Sequence, residues 1–138
     1  MSAIYTHQLI VPQSAIDENG HVNNIEYLRW MQDAATAHAA AVGGTQTTQN
    51  LGATWVARSH HIEYLRPAFA NEHLIVHTWI ASVSRARSLR KYKITRDETV
   101  ISTGETDWVF IDATTGRPRT IPTEISNCFT ILPETDEP

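Results

Sequence analysis

Cysteine occurs once, at Cys128, which excludes an internal disulfide and any metal centre built on paired thiolates. With no histidine close to it in the chain, Cys128 is also a poor candidate nucleophile. No apolar run approaches the roughly 18 residues of a helical membrane span, and the opening Met1-Ser2-Ala3-Ile4-Tyr5-Thr6-His7 lacks the charged-then-apolar layout of a signal peptide. A cytoplasmic location with no membrane partner is therefore expected. Positive charge is scarce. Eleven Lys and Arg against fifteen Asp and Glu give a net charge of -4, which argues against nucleic acid as a partner held by a general positive field. Any anionic ligand must be met by a local cluster. A Gly-x-Ser-x-Gly elbow is missing, so serine-hydrolase chemistry of the α/β-hydrolase kind has no support. A zinc signature is missing too. His60 and His61 are adjacent and would face opposite ways on a strand, while His73 and His77 would stand about 13 Å apart, too far to share one ion.

What is present is enough for one domain with a real core: 138 residues, of which 41% are hydrophobic. Tyr5 to Val11 reads as a short strand ended by Pro12. From Ile25 to Val42 the apolar residues Leu28, Met31, Ala35, Ala39 and Val42 recur at helical spacing, and Gly43-Gly44 supplies the stop. The second half of this helix is rich in alanine, so a sheet could approach it closely. Thr45 to Asn50 reads as a polar loop. Strands are then expected over Trp55–Tyr64, His73–Val83, Leu89–Arg96 and Ile101–Asp112, with a further one over Ile125–Leu132. Pro133 to Pro138, acidic and flanked by proline, reads as a mobile tail. One strand, one long helix and a run of strands make an α+β order suited to an antiparallel sheet with the helix on one face.

The segment Asp17-Glu18-Asn19-Gly20-His21-Val22-Asn23-Asn24-Ile25-Glu26-Tyr27 crowds a carboxylate, an imidazole and several amides just before that helix. Asn23 or Asn24 can cap it, leaving the first backbone N–H groups directed at the preceding polar cluster. A carboxylate beside such donors suits acyl transfer from an ester or thioester, which needs a group to activate water and donors to hold an oxyanion. The plainer account is a polar turn that caps a helix. An isolated Asp has a pKa of about 3.9, so Asp17 would be ionised at neutral pH, able to attack or to deprotonate water. A thiol of pKa about 8.5 departs as thiolate with little help, and no full triad is required.

With these elements in place the chain resembles the hotdog-fold acyl-CoA thioesterases, in the branch related to 4-hydroxybenzoyl-CoA thioesterase. Besides Asp17 to Tyr27, the resemblance rests on Ile62-Glu63-Tyr64-Leu65-Arg66-Pro67-Ala68, a strand entering a proline turn, and on Trp108-Val109-Phe110-Ile111-Asp112 with Gly116-Arg117-Pro118. It covers nearly the whole chain and implies a helix wrapped by a curved antiparallel sheet. Two subunits would join edge to edge, with active sites at their boundary, as a homodimer or a tetramer of dimers. It further implies that Asp17 is the catalytic carboxylate and that the backbone N–H of Asn24 polarises the thioester carbonyl. A likeness to the Asp-x-Asn-x-His arrangement of plant acyl-carrier-protein thioesterases makes Asn19 and His21 candidates for orienting water or the carboxylate. Ala15 departs from the pattern, since many relatives carry a second Asp there.

The implied substrate is an acyl-CoA, or an acyl-carrier-protein thioester, hydrolysed to a carboxylic acid and free thiol with no metal or organic cofactor. Coenzyme A phosphates need cations, and Arg85-Ala86-Arg87-Ser88, followed by Arg90 and Lys91, resembles the family's nucleotide-binding turn. Arg85 and Arg87 would share a strand face. Arg117 and Arg119 are weaker candidates. Without a ligand, such a cluster reads as a charged edge that discourages sheet aggregation. Two other readings remain: a hotdog hydratase or dehydratase, whose Asp and His are separated by four residues rather than the three between Asp17 and His21, and a non-catalytic acyl-CoA-binding module. Trp55, Trp79 and Trp108 read as core or interface aromatics, and Trp30 as a residue that faces the acyl chain.

Overall fold

The computed structural model describes residues 3–138, so Met1 and Ser2 of the stretch inspected for a leader lie outside it. Strand β1 (Tyr5–Ile10) leads through a 3-10 turn over Gln13–Ala15 to helix α1 (Asn24–Ala41) and helix α2 (Gly44–Asn50). Strands β2 (Ala53–Tyr64), β3 (His73–Ser84), β4 (Arg87–Arg96) and β5 (Thr99–Asp112) follow, then a short helix α3 (Thr123–Ser126) and a 3-10 turn over Glu134–Asp136. All strand pairs are antiparallel, in the order β1-β3-β4-β5-β2, and α1 lies against the sheet. This is the expected α+β arrangement.

Helix α1 is 18 residues long, about 27 Å, and buries Tyr27, Trp30, Met31, Ala34, Ala35 and His38. Their spacing marks one face of a helix. That stripe differs from the expected one, because Leu28, Ala39 and Val42 are only half-buried. Counting apolar residues alone misplaced the face: Tyr27, Trp30 and His38 carry polar atoms, yet each is buried where aromatic neighbours receive its ring. The main core joins this stripe to Leu74, Val76, Tyr92, Ile94 and Ile101 of the sheet.

The sheet bends around the helix. Register shifts fall at Ala57/Ser59, Ile80/Ser82 and Ile94/Thr95, and such irregularities kink a strand and increase its twist. Gly104 allows the closest approach, since a Cβ there would stand 2.8 Å from Met31 Sδ and 3.3 Å from the His61 carbonyl oxygen. Strand β2 lies at one end of the sheet, paired only with β5, and is exposed along most of its length.

Two expectations are overturned. Thr45 to Asn50 is helical as part of α2, because Gly43, at φ 83, breaks α1 in a left-handed conformation and a second helix restarts at once. The hydroxyls of Thr47 and Thr48 then donate to the Gly43 and Gly44 carbonyls at 2.9 and 2.8 Å, which absorbs their polarity locally. Ile125 to Leu132 is not a strand. Pro122 starts the turn that becomes α3, and the backbone of the segment meets the sheet, among the described residues, at one parallel bridge between Ile131 and Ile80. The C-terminal residues read as a tail lie beside the sheet, where Glu137 accepts from Trp79 Nε1 at 3.2 Å and pairs with Lys91 at 3.0 Å.

The Gly104 approach yields a stability test. Gly104→Ala should destabilise the fold by about 1–3 kcal/mol in urea denaturation, the usual range for overpacking. In a Met31→Ala background the added cost of Gly104→Ala should shrink, because the sulfur that the new methyl meets is gone.

Candidate active site at the start of helix α1

Ile16 and Val22 pair across an isolated bridge and close a small loop between them. Gly20 N–H donates to the Asp17 carbonyl at 3.0 Å, and Asp17 N–H donates to the His21 carbonyl at 2.9 Å. Gly20 sits at φ 83, a conformation that a side chain would strain. Asp17 is half-buried, and its Oδ1 accepts from Asn19 N–H at 2.9 Å in an Asx turn. The carboxylate therefore shapes its own loop and keeps its second oxygen outside that turn. His21 is half-buried and Asn19 exposed.

The helix begins at Asn24, one residue earlier than expected, and the cap is Asn23, whose Oδ1 accepts from Ile25 N–H at 3.1 Å. Asn24 is consequently the first helical residue, and its own N–H has no acceptor among the described residues. Neighbouring segments lock this start in place: Val22 N–H donates to the Ala68 carbonyl and Asn23 N–H to the Ala15 carbonyl, each at 2.9 Å. Tyr64 adds a bond from its hydroxyl to the Asn24 carbonyl at 3.2 Å. Ile62 to Ala68, which carried part of the family resemblance, thus buttresses the loop that holds Asp17. Tyr27 lies beneath, ring-to-edge with Trp30 and Tyr64, and burial pushes its phenol up, so that it stays protonated at neutral pH. Trp30, expected to face an acyl chain, packs into the core instead.

The basic cluster is divided by strand geometry. Arg85 lies in the β3–β4 turn at φ 57, not on a strand, so the alternation that was to align it with Arg87 does not operate. Arg85 and Arg87 nevertheless border one outer groove, with Ser82, Ser84, Leu89 and Asp107. Asp107 forms an ion pair with Arg87, which holds the guanidinium above its usual pKa. Ser88 and Arg90 face the other way, into the interior, and Lys91 pairs with Glu137. Arg119 donates to the Leu51 carbonyl at 2.8 Å and lies over the Phe110 ring.

Arg90 was read as one of the phosphate-binding cations, and the structure corrects that. Only 5% exposed, it donates from Nη1 to His38 Nδ1 at 2.9 Å and to Thr78 Oγ1 at 3.0 Å. Arginine only donates, so His38 Nδ1 must accept and the imidazole proton resides on Nε2. Burial and then the adjacent guanidinium lower the His38 pKa to about 4, and burial lowers that of Arg90 to about 10. At neutral pH the pair is a neutral imidazole against a cation. Arg90 borders a cavity of about 310 Å³ between the alanine-rich half of α1, helix α2 and the sheet, lined also by Thr48, Trp55, Ser88, Trp108 and Phe129. The signal was in the sequence: Ser88, Arg90, Tyr92 and Ile94 alternate on one strand face, and the last two are plainly core residues.

The thioesterase-like superfamily is the family whose model matches this chain, over residues 11–129. Among solved structures the chain is similar to the probable thioesterase YbaW from Escherichia coli, at 21% identity and TM-score 0.84, over 90% of this chain and 95% of that one. A DHNA-CoA thioesterase from Staphylococcus aureus is similar at 20% identity and TM-score 0.80, over 90% and 85% of the two chains. So is a second Staphylococcus aureus protein, solved in complex with CoA, at 22% identity and TM-score 0.82, over 95% and 90%. No curated protein matches the sequence. At these identities the likeness to solved structures establishes the fold, the long helix on an antiparallel sheet that the hotdog resemblance implied, here with five strands.

The His38–Arg90 contact has a consequence in acid. As pH falls below the unfolded value of about 6.5, the unfolded chain binds a proton on His38 that the folded chain refuses until about pH 4, so stability drops across that window. The loss should be about 2–3 kcal/mol, read as a falling Tm between pH 7 and pH 4. His38→Gln keeps an acceptor for Arg90 and should flatten the profile over the same range.

Proposed function

Given that the chain belongs to the thioesterase-like superfamily, we propose that it hydrolyses acyl-CoA thioesters, with Asp17 as the catalytic carboxylate and the Asn24 N–H as donor to the carbonyl oxygen. The observation that carries this reading is the helix start itself: an N–H without an acceptor among the described residues, at the first position of an 18-residue helix, immediately after the loop that holds Asp17. Negative charge that develops on a thioester oxygen is favoured there by the donor and by the helix dipole. Asp17 either attacks the carbonyl carbon, giving an anhydride that water then cleaves to the free acid, or removes a proton from the attacking water, and in both routes the thiolate leaves without an acid. Asn19 and His21, on the same loop, orient the water or the carboxylate. The chemistry proposed needs no metal or organic cofactor.

Access to the thioester would come from a second subunit. Among the described residues the outer edge of β2 has no partner in the sheet, and Val56, Tyr64, Leu65 and Ile25 expose apolar surface along and near it. An edge of twelve residues, unpaired and partly apolar, favours association with a second copy. We take the functional unit to be a homodimer joined through β2, with Arg85 and Arg87 placed to meet the phosphates of coenzyme A in the outer groove.

Asp17→Asn should lower turnover of acyl-CoA, followed by thiol release, about 10² to 10⁴-fold while leaving the Tm close to that of the parent. Undiminished turnover would remove Asp17 from the mechanism. Replacing Arg85 and Arg87 together with Ala should raise KM for CoA esters more than for a thioester truncated before the nucleotide. Equal changes for both substrates would rule out phosphate recognition by this pair.

A further inference from the structure

Arg90 carries charge into an otherwise mostly uncharged interior. Its two hydrogen bonds both leave from Nη1, so Nε and Nη2 have no acceptor among the described residues, and no carboxylate lies within ion-pair distance of it there. Its neighbours are the neutral His38, the Thr78 hydroxyl and the Phe129 ring, whose centroid is 5.8 Å from the guanidinium carbon. A buried cation left without a counter-charge is costly, and an anion that enters beside it offsets that cost. The cavity that Arg90 borders supplies the place, at about 310 Å³, the lower end of the range for small-molecule sites. Trp108 lines the same space, and its Nε1, shielded from solvent, has no hydrogen-bond partner among the described residues.

We propose that this cavity receives the acyl group of the substrate and that Arg90 selects acyl groups bearing a carboxylate at the end remote from the thioester. The inference rests on the thioesterase reading and on pairing through β2, and it deepens both. Within one protomer the cavity wall at Ala35 and Ala39 is some 17–23 Å along α1 from Asn24, too far for a short acyl group to span. Strand β2 carries both places: Ala53, Thr54 and Trp55 at its start line the cavity, and Tyr64 at its end bonds to Asn24. An antiparallel twofold pairing centred on β2 sets the start of one strand opposite the end of the other. Each cavity then opens toward the Asp17 loop of the partner subunit. The thioester carbonyl lies at one protomer's helix start, and the far end of the acyl chain reaches the Nε and Nη2 edge of the partner's guanidinium, which matches a carboxylate in two-point contact.

The test compares acyl-CoA pairs matched in length, glutaryl with pentanoyl and adipoyl with hexanoyl, by thiol release, together with thermal-shift titration of the same protein with free adipate and hexanoate. The parent should favour the carboxylate-bearing member in kcat/KM by about ten- to a hundredfold. Arg90→Met should abolish or invert that preference while still cleaving hexanoyl-CoA, and Arg90→Lys should retain part of it. Adipate should raise the Tm of the parent more than hexanoate does. If hexanoyl-CoA is cleaved as well as adipoyl-CoA, or the two free acids shift the Tm equally, the selectivity assigned to Arg90 is wrong; the parent alone decides this should Arg90→Met fail to fold. If no thioester is cleaved while adipate still binds better than hexanoate, the cavity assignment stands and the thioesterase reading fails. Adipate stabilisation that survives unchanged in Arg90→Lys and Arg90→Met overturns the role of Arg90.

Discussion

Val22 donates to Ala68, Asn23 donates to Ala15, and the Asn23 side chain caps Ile25, so the first turn of α1 is pinned between two loops and cannot drift along the sheet. The rest of the fold depends on that register. A shift of one residue would rotate every side chain of the helix by about 100° and carry Tyr27, Trp30 and Met31 off the core face. It would also place a different N–H at the point the Asp17 loop adjoins. The packing of the helix and the chemistry proposed at its start are therefore fixed by the same few bonds. The hydrophobic core supplies the energy, and the cap supplies the position.

Along α1 the interior changes character. Near the start, bulky Tyr27, Trp30 and Met31 fill the space against Val76, Ile94 and Ile101, and Gly104 lets the sheet come close. Farther along, alanines leave room, and the sheet answers with polar groups: Thr106 accepts from the Tyr92 hydroxyl at 3.0 Å and meets His60 Nδ1 at 2.8 Å, while Thr78 accepts from Arg90. Small side chains on the helix and hydrogen-bonded ones on the sheet cannot close tightly over Arg90. A cavity at the alanine-rich half follows from that mismatch in volume.

Legibility from sequence followed the strength of each local signal. The long helix was readable from its apolar spacing and the four later strands from their β-branched and aromatic residues between turn signals, and their ends moved by only one or two positions. Helix α2 was not readable, because Gly44 to Asn50 has no apolar face and is ordered by threonine back-bonds and by Phe129 packed on Gly44. The false strand after Ile125 came from scattered apolar residues, of which Ile125 is buried by the short helix that follows Pro122 while Ile131 stays exposed. At the site, Asp17 and the capping asparagines stood out because caps and turns are written in adjacent residues. Arg90 and His38 are 52 positions apart, and a charged residue amid a basic run gives no sign by composition that it turns inward. Strand alternation was the one indicator, and it was applied to Arg85 and Arg87, where the turn had already broken it.

The separation of the basic run into two populations has a physical meaning. Arg85 and Arg87 lie at the surface, where water and salt screen them and Asp107 already neutralises one; such charges attract an anionic ligand without discriminating closely between anions. Arg90 is almost wholly buried, held at fixed geometry by His38 and Thr78. A group of opposite charge placed against it gains far more than the same group would in the outer groove, and an apolar group in its place leaves the cation unmatched. On β4 the two kinds of cation follow from the simple alternation of residues to opposite faces, which turns Arg87 outward and Arg90 inward.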